Sequence, residues 1–408
     1  MALALMVCTE VGFSLSSGEV FNLFGMRVES GTELDTQASA TEGATFSKFG
    51  GNVISGNSGT ATFTFRDAGA AGNQTFQITG TGANEDATNT DVLTAGDLFN
   101  TAYADTGTNS VLGWGKCNVS FASGHGSFHG SASYSGLVFD VASSTRFIGL
   151  SGDQQADGTA TEANVAFKAR GYDTFEALQV RVETNARTND SVFRNRINGG
   201  NGSAVITFGA GATGLVTATA LADSIADGQT IDVSLQLLTG VEDLVVNFVL
   251  ATLKSSGSEQ DMWASSQNGL ARTASSTAHY FPIGGFLQAT TNFSDATARI
   301  KPGFAAVVSN LRCYLSDNTY TGNGTLKLYQ NGSAVITTTI TASGGAAWYE
   351  NTSDTITIDA DDELSFEFDE GTSGSITIHS AGITFAPVAA AAASLLFKPK
   401  SMQHMLVR

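Results

Sequence analysis

Residues 201–207 read NGSAVIT, and residues 331–337 read the same seven letters 130 positions later. A looser copy, NQTFQIT, occupies residues 73–79. Self-similarity at this spacing marks a domain-sized unit used three times, because one coil of a parallel β-helix would repeat every ~20–30 residues. The flanks repeat as well. An apolar-glycine element precedes each copy, at 21–25 (FNLFG), 147–149 (FIG) and 281–285 (FPIGG). Each copy also has a basic strand-like segment before it, at 62–66, 192–198 and 325–330, and an acidic turn after it, at Asp97, Asp227 and Asp361. Apolar closing segments follow at 116–121, 243–250 and 375–385.

Charged residues make up 14% of the 408, Gly numbers 46 and Pro only 4, while apolar residues at 42% are enough to fill cores. Apolar and polar residues alternate at 62–65 (TFTF), 355–358 (TITI) and 364–368 (LSFEF). Period two means strands with one wet face. The pairs Asn201-Gly202, Asn323-Gly324 and Asn331-Gly332 carry the residues that a two-residue hairpin turn needs at positive φ. The expected fold is all-β: three tandem antiparallel β-sandwich, jelly-roll-like domains of about 130 residues each. Their expected bounds are 1–142, 143–276 and 277–387, followed by a tail at 388–408. Residues 258–277, polar and without a sustained pattern, are expected as one linker and residues 131–144 as the other, with 137–141 also open to reading as strand. Residues 94–104 (TAGDLFNTAYA), with Leu98, Phe99 and Ala102 at helical offsets, are expected as a short helix.

A net charge of −18 argues against nucleic acid as a partner, since phosphate binding needs a basic patch. The tail differs from the body, with Lys398, Lys400 and Arg408 and no acid. It reads as a frayed terminus, as a helix packed on its own domain, or as an arm whose Leu395, Leu396 and Phe397, flanked by Lys398 and Lys400, would dock on another subunit. Residues 1–8 (MALALMVC) lack a basic lead and read as a first strand rather than a lipoprotein signal. No run of ~18 apolar residues offers a membrane span. Cys8, Cys117 and Cys313 are odd in number and unmatched between repeats, so buried free thiols and a reducing site of synthesis are expected.

Candidate chemistry is sparse. Residues 209–214 (GAGATG) match the spacing of a dinucleotide loop, but the third repeat has TTTITASGG (337–345) at that place, a strand and turn. His125 and His129 lie four apart, which on a strand separates them by ~13 Å, so they read as loop polar residues rather than metal ligands. Asp359, Asp361, Asp362 and Glu363 form the densest acidic cluster and the candidate place for Ca²⁺, against a solvated hairpin turn. No cofactor, metal or catalytic constellation is assigned.

The Gly/Thr/Asn-rich alternating strands, few prolines and charges, and tandem NGSAVIT hairpins resemble virion structural proteins of tailed bacteriophages. The resemblance implies jelly rolls or β-sandwiches that decorate the capsid or form tail appendages. The expected function is a non-enzymatic capsid decoration (cement) protein, homotrimeric, bound to coat-protein subunits in the virion and made in the host cytoplasm, with no nucleic-acid or membrane partner. The alternatives are a neck or tail-fibre appendage touching the host surface through an exposed aromatic such as Trp263 or Trp348, and a secreted carbohydrate-binding protein.

Overall fold

The structure, a computed structural model, describes residues 4–22, 33–152, 158–219, 221–273, 278–287, 294–369 and 372–388. Its first roll holds β1 (Ala4–Leu15), β2 (Val20–Phe21), β3 (Ala38–Ser39), β4 (Ala44–Ser55), β5 (Thr60–Asp67), β6 (Ala70–Thr79), β7 (Gly82–Leu93), β8 (Leu98–Asp105) and β9 (Ser110–Phe121). The strand orders are β1-β9-β4-β7 and β2-β8-β5-β6, with β3 pairing β8. Two antiparallel sheets, one of four strands and one of five, connected in this way form a jelly roll.

The same connection recurs twice. The second roll holds β10 (His125–Phe139), β11 (Thr145–Ile148), β12 (Phe167–Lys168), β13 (Thr174–Asn185), β14 (Ser191–Ile197), β15 (Gly200–Phe208), β16 (Gly214–Ala218), β17 (Asp223–Ser224), β18 (Thr230–Leu237) and β19 (Leu244–Ser255). Its sheets run β10-β19-β13-β16 and β11-β18-β14-β15. The third holds β20 (Gln260–Thr273), β21 (His279–Phe281), β22 (Gly285–Phe286), the one-turn helix α1 (Asp295–Ala298), β23 (Ala306–Asn318), β24 (Gly324–Gln330), β25 (Ser333–Ile340), β26 (Ala347–Asn351), β27 (Ile356–Ile358), β28 (Leu364–Asp369) and β29 (Ser375–Pro387). Its sheets run β20-β29-β23-β26, with β22 added beside β20, and β21-β28-β24-β25.

Three local expectations are corrected. The stretches at 131–144 and 258–277 are not linkers. Residues 131–139 belong to β10 and residues 260–273 to β20, the opening strands of the second and third rolls, which pair with β19 and β29. The sheets therefore change over near residues 122–124 and 256–259, ahead of the expected bounds. Both strands were hard to read because both of their faces are covered, so polar residues such as Ser127, Ser131, Gln260, Asp261 and Gln267 are buried and alternation disappears. Residues 94–104 hold no helix. After a turn in which Asp97 accepts hydrogen bonds from Thr94, β8 buries Phe99, Thr101 and Tyr103 at period two.

The repeated heptapeptide lies on the same strand of each roll, the edge strand β6, β15 or β25. Each follows a two-residue turn with both φ values positive: Ala68-Gly69, Asn198-Gly199 and Asn331-Gly332. Asn201-Gly202 is therefore inside β15 and not the turn, and Gly324 opens β24 without a positive φ. Counted back from these turns, Phe63, Phe193 and Leu326 are equivalent, and they face Phe76, Ile206 and Thr338. The two NGSAVIT copies are thus two residues out of structural register. Two is the side-chain period of a strand, so Ile206 and Ile336 both stay buried, whereas Ala204 is buried and Ala334, past the bulge beside Leu328, is exposed.

Each roll closes on its own core. In the first, Phe63 stacks on Phe76 at 4.7 Å and Phe46 meets both Phe65 and Phe99 at 5.0 Å. Such aromatic pairs contribute ~0.5–1.5 kcal/mol each beyond the area they bury.

Candidate functional site: three seams that close a ring

The sheet carrying the first and last strands of each roll turns its outer face to the preceding roll. Phe248 and Leu250 of β19, and Phe128 of β10, join the core of the first roll. Trp263 of β20 joins the core of the second and stacks on Phe167 at 4.9 Å. Leu5 of β1 and Trp114 of β9 join the core of the third. The second roll leans on the first, the third on the second and the first on the third. This is a head-to-tail contact that closes after three steps, as in a cyclic trimer.

The segment between the second and fourth strands of each roll lies across the next roll's outer face. At the first–second seam, Gln179 accepts from the Ser39 N–H at 3.0 Å and donates to the Ser39 carbonyl at 2.7 Å. Asn247 donates to the Asp35 carbonyl, and Lys254 pairs with Glu42. At the third–first seam, Asn52 donates to the Thr297 carbonyl at 3.3 Å and Lys116 to the Lys301 carbonyl at 2.7 Å.

The second–third seam holds a buried ion pair. Arg312 Nη2 lies 2.7 Å from Asp261 Oδ1, with the two side chains 1% and 0% exposed. Asp261 also accepts from the backbone N–H groups of Arg170 (2.8 Å) and Gly171 (3.0 Å) and from the Thr384 hydroxyl (2.7 Å). Arg312 donates to the carbonyls of Lys168 and Asn310. A buried ion pair is tolerated when further hydrogen bonds satisfy its partners; here Asp261 is held by three donors and Arg312 donates through Nε and Nη1, while Nη2 faces the carboxylate. Nearby, Lys168 and Arg170 grip Glu350. Burial would raise that carboxyl, but the two cations hold it below its ordinary range.

Lys116 is also buried, 2.5 Å from Glu85, and desolvation pulls its ammonium below the ordinary lysine value while Glu85 opposes the shift. Around it, at the mouth of the third–first seam, lies a cleft of about 230 Å³ lined by Asn84, Glu85, Trp114, Lys301, Asp361 and Glu363 among others. Sequence reasoning missed Lys116, Trp114, Asp261 and Arg312. The available signal was isolated charges inside strand-like runs, as in KCNVSF (116–121).

The residues singled out from sequence scatter. Leu395, Leu396, Phe397, Lys398 and Lys400 lie outside the described residues. His125 and His129 are on β10 and not in a loop; burial pushes the His129 imidazole down to about 3, and its Nε2 lies 2.8 Å from the Tyr172 hydroxyl. Asp362 is occupied by its own turn, accepting from the Asp359 N–H, Gln330 and Asn331. Among the described residues no group of three or more His, Cys, Asp or Glu is placed to hold a metal. Residues 209–214 form a turn clamped by Asn185 and lead into strand β16 rather than a helix. Cys117 and Cys313 are buried free thiols; the side chain of Cys8 is outside the described set. Trp263 is buried, and Trp348 is half-buried against Tyr314 and Lys168. No helix among the described residues is long and apolar enough to cross a membrane.

No family model and no curated protein matches the chain. Among solved structures it is similar to the major capsid protein of bacteriophage PM2, at 9% identity and a TM-score of 0.20, covering 65% of this chain and 98% of that one. It is also similar to the infectious bursal disease virus subviral particle protein, at 11% identity and a TM-score of 0.19, covering 84% and 72%. A Paenibacillus xanthan lyase overlaps at 10% identity and a TM-score of 0.19, covering 86% and 52%. Overlaps this loose join capsid proteins and a lyase alike and carry no functional argument.

Proposed function

We propose that this chain is a virion structural protein that caps local threefold positions of a coat-protein shell, a decoration or cement role without catalytic duty. The observation that supports it is the ring of three jelly rolls within one chain. Such a body presents three similar faces at once and matches a threefold arrangement of coat subunits with a single copy. In this reading the threefold expected from a homotrimer is supplied inside the polypeptide. Contacts spread over several coat subunits bury interface that expansion of the shell would have to give up, and so stabilise it by linkage. An acidic, weakly charged surface suits contact with protein rather than nucleic acid.

The test is co-sedimentation of the purified chain with expanded coat-protein shells that lack it, with residues 388–408 present and removed. Saturable binding at one copy per threefold position is expected, weakened by the truncation. Failure of both forms to bind overturns the decoration role. Undiminished binding of the truncated form removes the arm and leaves the cap.

A further inference from the structure

We infer that the cleft at the third–first seam binds a sugar residue bearing a carboxylate. The three seams are built alike but lined differently. Where the second roll presents Phe248 and Leu250 to its neighbour, the first presents Trp114 and Lys116. Polar groups here leave the seam open on one side as a cleft of about 230 Å³. This is below the ~300–1,000 Å³ of sites for drug-sized ligands and is on the scale of a single ring.

The lining has unmet needs. Trp114 is only 4% exposed, and its indole N–H is buried without an acceptor. Buried N–H groups are nearly always partnered, so this donor calls for an acceptor from outside the chain, a water or a ligand group. Trp114 and Lys116 are two apart on β9 and share its outer face, where Lys116 is already committed to Glu85 and the Lys301 carbonyl. The Lys301 ammonium and the Asp361 carboxylate, both exposed at the cleft, make no ion pair among the described residues.

The site thus offers one buried neutral donor, one free cation and one free acceptor around a partly aromatic wall. A hydroxylated ring meets donors and acceptors with the same groups, and a carboxylate on it satisfies Lys301. The lining carries Lys116, Arg299 and Lys301 against Glu85, Asp361 and Glu363. That local balance does not repel an anion, although the chain as a whole is at −18.

Isothermal titration of the full chain with the methyl glycosides of glucuronic acid and glucose, and with glutamate, tests this. The glucuronide is expected to bind about tenfold more tightly than the glucoside, and Lys301→Met to erase that difference, since a charge-assisted hydrogen bond is at stake. Trp114→Phe, which removes the N–H donor together with part of the indole ring, should also weaken the glucuronide. Lys301 is exposed and its backbone carbonyl survives the change, so the Lys301→Met variant decides the matter if the Trp114 variant misfolds. No binding of the glucuronide, unchanged binding in the Lys301→Met variant, or glutamate binding as tightly as the glucuronide each overturns the assignment.

Discussion

Replacing Asp261 by Ala should cost more than replacing its ion-pair partner Arg312 by Met, and the asymmetry follows from who else holds each group. Without Asp261, the Arg312 guanidinium stays buried with no counter-charge, a loss of about 3–5 kcal/mol. The N–H groups of Arg170 and Gly171 lose their acceptor as well, at ~1–3 kcal/mol each if water cannot reach them. Without Arg312, the carboxylate loses its counter-charge, also about 3–5 kcal/mol, but it keeps those two N–H donors and the Thr384 hydroxyl, so the Asp261 loss should exceed the Arg312 loss by the cost of the two orphaned N–H groups. Converting both, Asp261→Leu with Arg312→Met, should recover part of the Asp261→Ala loss, because an apolar pair of similar volume avoids desolvating two ions. Urea unfolding followed by tryptophan fluorescence reads all three, with Trp263 two residues from Asp261 as a local reporter. The reasoning fails if the Arg312 variant costs as much as the Asp261 one, or if the double variant is no more stable than Asp261→Ala.

At the third–first seam, Lys116→Met should be nearly neutral in thermal melts, since it removes a desolvated ammonium and keeps the volume, whereas Lys116→Ala should lose at least about 2 kcal/mol through the cavity it leaves. Asp232 is 1% exposed on β18, and burial first, then the Glu162 charge, raises its carboxyl well above the usual 3.8, with Arg196 opposing. A raised acid contributes fully below 3.8 and loses its contribution as pH rises toward and through its native value. Asp232→Asn should therefore gain melting temperature over the parent at pH 8 and show little gain at pH 3, and an equal gain at both would contradict the assignment. Gly171→Ala should destabilise by about 1–3 kcal/mol in urea melts, because a Cβ there would sit 2.7 Å from the backbone of Gln260 across the second–third seam.

The strands of the far sheets were legible because one face is wet and one is buried, as TFTF, TITI and LSFEF show. The seam strands β10 and β20 were not legible, since a neighbour covers the face that solvent covers elsewhere. The apparent helix at 94–104 failed for a related reason: Phe99, Thr101 and Tyr103 alternate, but Thr101 does not register as a core residue. The period was readable from the heptapeptides even though these are slipped by two residues, because an even slip leaves Ile206 and Ile336 both inward. The site was the least legible part. Lys116, Asp261 and Arg312 acquire meaning only from a partner about 90 or more positions away in another roll, or from the strand beside them that a neighbouring roll buries.

Carrying three rolls on one polypeptide also removes dilution from the problem of assembly. Three separate copies would have to meet, and the ring would come apart as their concentration fell. Joined by connections of a few residues, each roll finds its neighbour at a fixed, high effective concentration. The covalent order leaves only the third–first contact to close without a linker, so whatever loosens that contact opens the ring without releasing any part of it.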